Sequence, residues 1–89
     1  MFDLKDLRCF VAVYELSGFA RAAIELHTVQ SAVSTRIRKL ESVVGGPLFQ
    51  RMHRGIVATP KGEKLYKHAK RALEQIEEFE KAVRDERAA

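Results

Sequence analysis

Between residues 30 and 44 the chain sorts its side chains by helical face. Val33, Ile37, Leu40 and Val44 form an apolar stripe. At about 100° per residue the opposite face carries Ser31, Thr35, Arg38 and Ser42, flanked by Ser34. No acid occurs from 30 to 40, although exposed helix positions ordinarily favour Glu and Lys. Short hydroxyl side chains let a helix backbone approach another surface closely. Gln30 can bond bidentately to adenine, and N–H groups at a helix start suit a phosphate. Arg36 falls nearer the core-side edge, better placed for a phosphate than for a base. A second cluster, Arg51, His53 and Arg54, lies between two short β-type runs. Arginine on such a tip suits phosphate or a narrow minor groove. This is the chemistry of holding a polyanion. Catalysis is excluded by the lack of a Gly-rich phosphate loop, of paired acids on a concave face, and of a nucleophile with its base.

Charge agrees with that reading. The net charge is +4. Residues 1–29 contribute −1, residues 30–64 contribute +5, and residues 65–89 contribute zero. Basic charge gathered in one third of a small chain favours a nucleic-acid partner.

Length and composition set further bounds. Eighty-nine residues allow one domain, and a domain this small is marginal unless stapled or oligomeric. The single cysteine, Cys9, cannot form an internal disulfide. His27, His53, His68 and Cys9 are too scattered for a zinc finger, so no metal and no cofactor are expected. Dimerisation is the remaining way to add core. No apolar run approaches the roughly 20 residues of a bilayer span, so no membrane partner is expected. The acidic, patterned N-terminus is not a signal peptide, and a cytoplasmic, reducing location follows.

The elements that would position these residues are mostly helical. Leu4, Leu7, Phe10, Val11 and Tyr14 share one helical face, while Cys9, Ala12, Val13 and Leu16 form a second strip. A helix with two apolar strips is packed on both sides, and Cys9 is expected against the last helix. Ser17-Gly18 ends this element. Phe19, Ala22, Ala23 and Leu26 predict a short second helix, closed by His27. The third helix stops at Gly45-Gly46-Pro47. Leu48 to Arg51 and Ile56 to Thr59 read as short strands, joined by the turn Met52-His53-Arg54-Gly55.

Thr59 is the expected N-cap of the last helix, with Pro60 in its first position. Along residues 60–86, Leu65, Ala69, Ala72, Ile76, Phe79 and Val83 are spaced 4, 3, 4, 3, 4, an a/d seam that Tyr66 and Leu73 broaden. Such a helix reaches about 40 Å, longer than the rest of the domain is wide, so its distal half needs a partner. A homodimer through residues 60–86 is expected. The predicted fold class is mainly α: a winged helix-turn-helix of three helices plus a two-stranded hairpin wing, then a long dimerisation helix. Residues 1–59 form the first unit and 60–89 the second.

Several motifs in order resemble the LysR-type transcriptional regulators. They are Phe19-Ala20-Arg21-Ala22-Ala23-Ile24-Glu25-Leu26-His27, Gln30-Ser31-Ala32-Val33-Ser34, Ile37-Arg38-Lys39-Leu40-Glu41, Gly46-Pro47-Leu48-Phe49-Gln50-Arg51 and Thr59-Pro60-Lys61-Gly62. The resemblance covers residues 2–89. It implies a bacterial regulator that binds double-stranded DNA at an interrupted dyad. Carried over by position, Gln30, Ser31, Ala32, Ser34 and Thr35 would face the major groove, and Arg51, His53 and Arg54 would belong to the wing. Leu65 to Val83 would pack on helix 1 of the mate, explaining that helix's second strip. The family favours antiparallel linker helices.

Three departures stand out. Thr28-Val29 precedes the glutamine in place of the family's apolar residue and hydroxyl. Thr35 follows Ser34 where arginine is common. The chain stops where the family's effector domain begins, so a small-molecule effector would act only through a domain missing here. The competing class is an interaction module whose functional surface is the last helix alone. It predicts a dimer indifferent to duplex DNA.

Overall fold

The computed structural model describes residues 1–89. Helix α1 (Leu4–Leu16) starts at a reciprocal capping box. The Asp3 carboxylate accepts the Asp6 N–H and the Asp6 carboxylate accepts the Asp3 N–H, each at 2.9 Å. Ser17 ends α1 with φ 55°. Helix α2 (Phe19–Glu25) closes in a Schellman arrangement: the His27 N–H reaches the Ile24 carbonyl at 3.2 Å and the Thr28 N–H the Ala23 carbonyl at 2.9 Å. His27 sits at φ 56°, where glycine is usual. It therefore closes α2 through its backbone.

Helix α3 (Gln30–Val44) begins at Val29 with no side-chain cap and ends at Gly45, φ 84°. The Lys61 ammonium donates to the Val44 carbonyl at 3.0 Å and satisfies part of that end. Strands β1 (Phe49–Met52) and β2 (Gly55–Ala58) pair antiparallel, with Phe49 opposite Ala58 and Met52 opposite Gly55. The turn is thus two residues, His53-Arg54, and tighter than the four-residue turn expected. Gly55, at φ 122°, makes the shorter turn accessible. Leu48 lies outside the strand and is fully buried, and Thr59 lies beyond β2 as the cap of α4 (Pro60–Ala88).

Thr59 ties three segments together. Its hydroxyl accepts the Gly62 N–H at 3.0 Å and donates to the Pro47 carbonyl at 2.7 Å. Phe49 anchors the hairpin, with its ring 5.6 Å from Phe10 and 6.1 Å from Phe19. The core is Phe10, Val13, Ala22, Val33, Ile37, Leu40 and Leu48, with Ala69 and Leu73 supplied by α4. Helix α1 lies between α2/α3 on one side and α4 of its own chain on the other. Its second apolar strip therefore needs no mate: Val13 is fully buried within this chain. Cys9 is buried beside Leu26, Ala32 and Arg36, on the α2/α3 side and not against the last helix.

The molecule measures 53 × 25 × 21 Å, because α4 runs on beyond the domain. No helix is long and apolar enough to cross a membrane.

Candidate nucleic-acid interface

Gln30, Ser31, Thr35 and Arg38 are exposed on the outer face of α3, and Ala32 and Ser34 are half-buried at its margins. The sequence-predicted face is therefore assembled on one side of one helix. Two of its hydroxyl and cationic groups hold each other in place. The Thr35 hydroxyl donates to the Ser31 carbonyl at 2.9 Å, and an Arg38 guanidinium nitrogen lies 3.4 Å from that same hydroxyl. The first N–H groups of α3 have no side chain to accept them, since the Val29 cap has none to offer.

The hairpin stands beside this face. Ser34, Arg38, Glu41, Gln50 and Arg51 line a cleft of about 180 Å³ together with Phe19, Ile37, Phe49 and Ile56. The Arg51 guanidinium lies 6.0 Å from the centre of the Phe19 ring, a cation–π separation that restrains it. His53 and Arg54 occupy the exposed turn at the hairpin tip, outside the cleft. The only acid of α3, Glu41, is turned inward, and its carboxylate accepts the Leu48 N–H at 2.8 Å. That bond ties α3 to the foot of the wing and holds the carboxylate at the Leu48 end of the cleft.

Arg36 is the exception among the expected contacts. Its guanidinium donates to the Asp6 carboxylate at 2.9 Å, and the Lys39 ammonium lies 3.0 Å from the other oxygen. Asp6 is fully buried. Burial pushes its carboxyl up, but the Asp3 N–H, Lys39 and Arg36 outweigh that and hold it below the usual carboxylate range. The Asp6 hydrogen bond in turn raises the guanidinium of Arg36. Arg36 thus joins α3 to α1 through one guanidinium nitrogen, with about a third of its side chain exposed. The signal was present in the sequence as Asp3-Leu4-Lys5-Asp6 at a helix start, a capping spacing with a second acid left to be paired. Burial raises the Cys9 thiol, which makes it a packing group and not a reactive thiolate.

On α4, Ala69 faces its own core at 6% exposure, whereas Phe79 is 67% and Val83 41% exposed. Leu65 and Ile76 are half-buried and Ala72 is exposed. The seam is therefore split. Its first half touches the winged domain, and its second half is bare.

Comparison with known proteins agrees with this architecture. Residues 4–63 match the family described as bacterial regulatory helix-turn-helix protein, lysR family. The chain is 46% identical over 76 residues to the HTH-type transcriptional regulator DgdR of Burkholderia cepacia, covering 85% of this chain and 26% of that protein. It is 45% identical over 75 residues to the Hca operon transcriptional activator HcaR of Escherichia coli, covering 84% and 25%. The chain thus spans about a quarter of the length of these curated relatives. Among solved structures, the BenM DNA-binding domain with catB site 1 DNA superposes with a TM-score of 0.92 at 31% identity, covering 99% of each chain. The CbnR DNA-binding domain in its DNA complex gives 0.85 at 32%, covering 94% of this chain and 97% of that one. The capped α1, the α2–α3 pair, the hairpin and the long α4 are the winged-helix DNA-binding domain of a transcriptional regulator, and the chain belongs to the LysR family of bacterial helix-turn-helix regulatory proteins.

Proposed function

We propose that residues 1–59 read double-stranded DNA by laying α3 in the major groove, and that residues 60–89 join two such readers into a homodimer on an interrupted dyad. Gln30, Ser31, Ala32, Ser34 and Thr35 address base edges. Arg38, Arg51, His53 and Arg54 address the backbone or the adjacent minor groove. The observation that carries the reading is the exposed face of α3 over residues 30–40, which holds no acid and whose Ser34 and Arg38 share a cleft with the wing arginine Arg51. Relatives solved as DNA complexes support DNA as the partner of this domain.

The dimer reading rests on α4. At about 100° per residue, Leu65, Ala72, Ile76, Phe79 and Val83 fall within one narrow arc. Ala69 and Leu73, which enter the domain's own core, fall on the neighbouring arc. The domain leaves the distal part of the outer arc bare, and burying Phe79 and Val83 against a second copy removes two large apolar side chains from water.

Selection of bound sequences from a random duplex pool at near-physiological salt tests both parts. Enrichment of a spaced dyad is the expected outcome. Thr35→Glu puts a carboxylate on the exposed face and is expected to abolish selection while leaving the circular dichroism spectrum intact. Undiminished specific binding by folded Thr35→Glu, or a dimer that enriches no sequence, would overturn the assignment of α3.

A further inference from the structure

Where α1 crosses α4, two tyrosines and two glutamates form a reciprocal latch. The rings of Tyr14 and Tyr66 stack at 3.7 Å between centroids and 8° between planes. The Tyr14 hydroxyl, on α1, donates to Glu63 on α4 at 2.7 Å. The Tyr66 hydroxyl, on α4, donates back to Glu15 on α1. Lys70, one turn further along α4, lies 3.0 Å from the same Glu15 carboxylate. Each helix thus gives one ring and one carboxylate to the other.

The latch occupies its own strip of α4. Glu63, Tyr66 and Lys70 recur at i, i+3 and i+7, on the side of the core-facing strip away from the outer apolar arc. The packing of Ala69 and Leu73 into the core holds α4 against the domain. A single apolar strip, however, leaves a helix free to rock about its line of contact. The flanking polar strip removes that freedom, because tilting breaks a stack and two directed hydrogen bonds together.

We infer that Tyr14 and Tyr66 are positioning residues that set the angle between α4 and the winged domain, and through it the spacing of the two half-sites the protein accepts. The inference rests on the reading of α4 as the dimer helix of a dyad reader. The lever is long. Twenty-two residues separate Tyr66 from Ala88, about 33 Å of helix. A tilt of about 10° at the latch moves the distal end by about 6 Å, nearly two base-pair steps of about 3.4 Å. Rigidity at this crossing therefore becomes discrimination in base pairs.

The test compares wild type with the Tyr14→Phe, Tyr66→Phe double variant, which keeps the stacked rings and loses both hydroxyls, and with Tyr66→Ala, which loses the stack. Duplexes carry the selected half-sites with spacers varied one base pair at a time. Wild type should prefer its best spacer over the adjacent ones by about tenfold, and the double variant by about threefold or less. Half-site sequence and dimer mass should be unchanged. An unchanged spacing profile in the folded double variant would overturn the inference while leaving the proposed function standing. A wild type that is monomeric or selects no dyad would overturn both.

A second measurement needs no DNA. Spin labels at Arg54→Cys and Arg84→Cys, diluted in unlabelled protein, report the distance from wing tip to distal α4. The distribution should broaden in the double variant and further in Tyr66→Ala. A distribution as narrow as that of wild type in both would also overturn the inference.

Discussion

The carboxylate of Asp6 is fully buried and receives the Arg36 guanidinium at 2.9 Å. Lys39 closes on the same carboxylate at 3.0 Å. Three charged side chains thus fasten the start of α1 to the middle of α3, behind the face proposed to read DNA. Asp6→Asn removes the buried charge and leaves Arg36 and Lys39 only the more exposed Asp3 carboxylate, at 3.4 and 3.9 Å. Because Arg36 and Lys39 can turn to solvent, the loss should fall at the low end for a buried pair, about 2 kcal/mol. In a domain of this size that lowers the melting temperature by about 10 °C. Thermal denaturation followed by circular dichroism measures it.

The same carboxylate makes stability depend on acid. The folded state holds Asp6 below the ordinary carboxylate range, and Glu15 too, through the Tyr66 hydrogen bond and Lys70. The unfolded chain therefore takes up protons first as pH falls. Their contribution is complete above the unfolded values of about 4 and is lost below them, as pH passes through the folded ones. Urea midpoints should be level from about pH 7 to 5 and drop below about pH 4. Asp6→Asn should flatten that drop.

Gly62 has no room for a side chain. A Cβ there would collide with the carbonyl oxygen of Leu48, a backbone atom with no means of turning aside. Gly62→Ala gains helix propensity but forces α4 away from Leu48 and disturbs the Thr59 cap. Overpacking wins, and a net loss of about 3 kcal/mol is expected in denaturant titration.

Phe79 offers a clean test of the dimer helix. It is 67% exposed in the single chain, so Phe79→Asp removes little from the fold of one copy. It places a charge in the outer arc, where a second copy would have to bury it. Light scattering should report a dimer for wild type and a monomer for the variant, with the monomer's helical content retained.

Arg54 stands exposed at the hairpin turn with no partner in the chain. Arg54→Ala should weaken binding about equally for every duplex sequence. Each subunit then neutralises one phosphate fewer, so the slope of log affinity against log salt should become shallower by about 2 for the dimer. Fluorescence anisotropy at several salt concentrations gives that slope.

The sequence by itself determined the elements and the sorting of their faces. Helical spacing of Val33, Ile37 and Leu40 separates core from exterior whatever lies beyond, so the polar face of α3 could be read without coordinates. Gly45-Gly46-Pro47 and Thr59-Pro60 mark helix ends by local backbone and capping chemistry, and the structure keeps them. Only the tertiary structure decided which groups meet across elements. Periodicity could not show that Arg36 is claimed by an aspartate thirty positions away, that Cys9 faces α2 and α3, or that Ala69 turns into its own core. Nor could it show that Tyr14 and Tyr66 stack, or that Gly62 is glycine because Leu48 passes against it. A helix's repeat fixes the direction in which a side chain points. What stands there to receive it depends on how the helices cross, and that angle is set by all of their packing together.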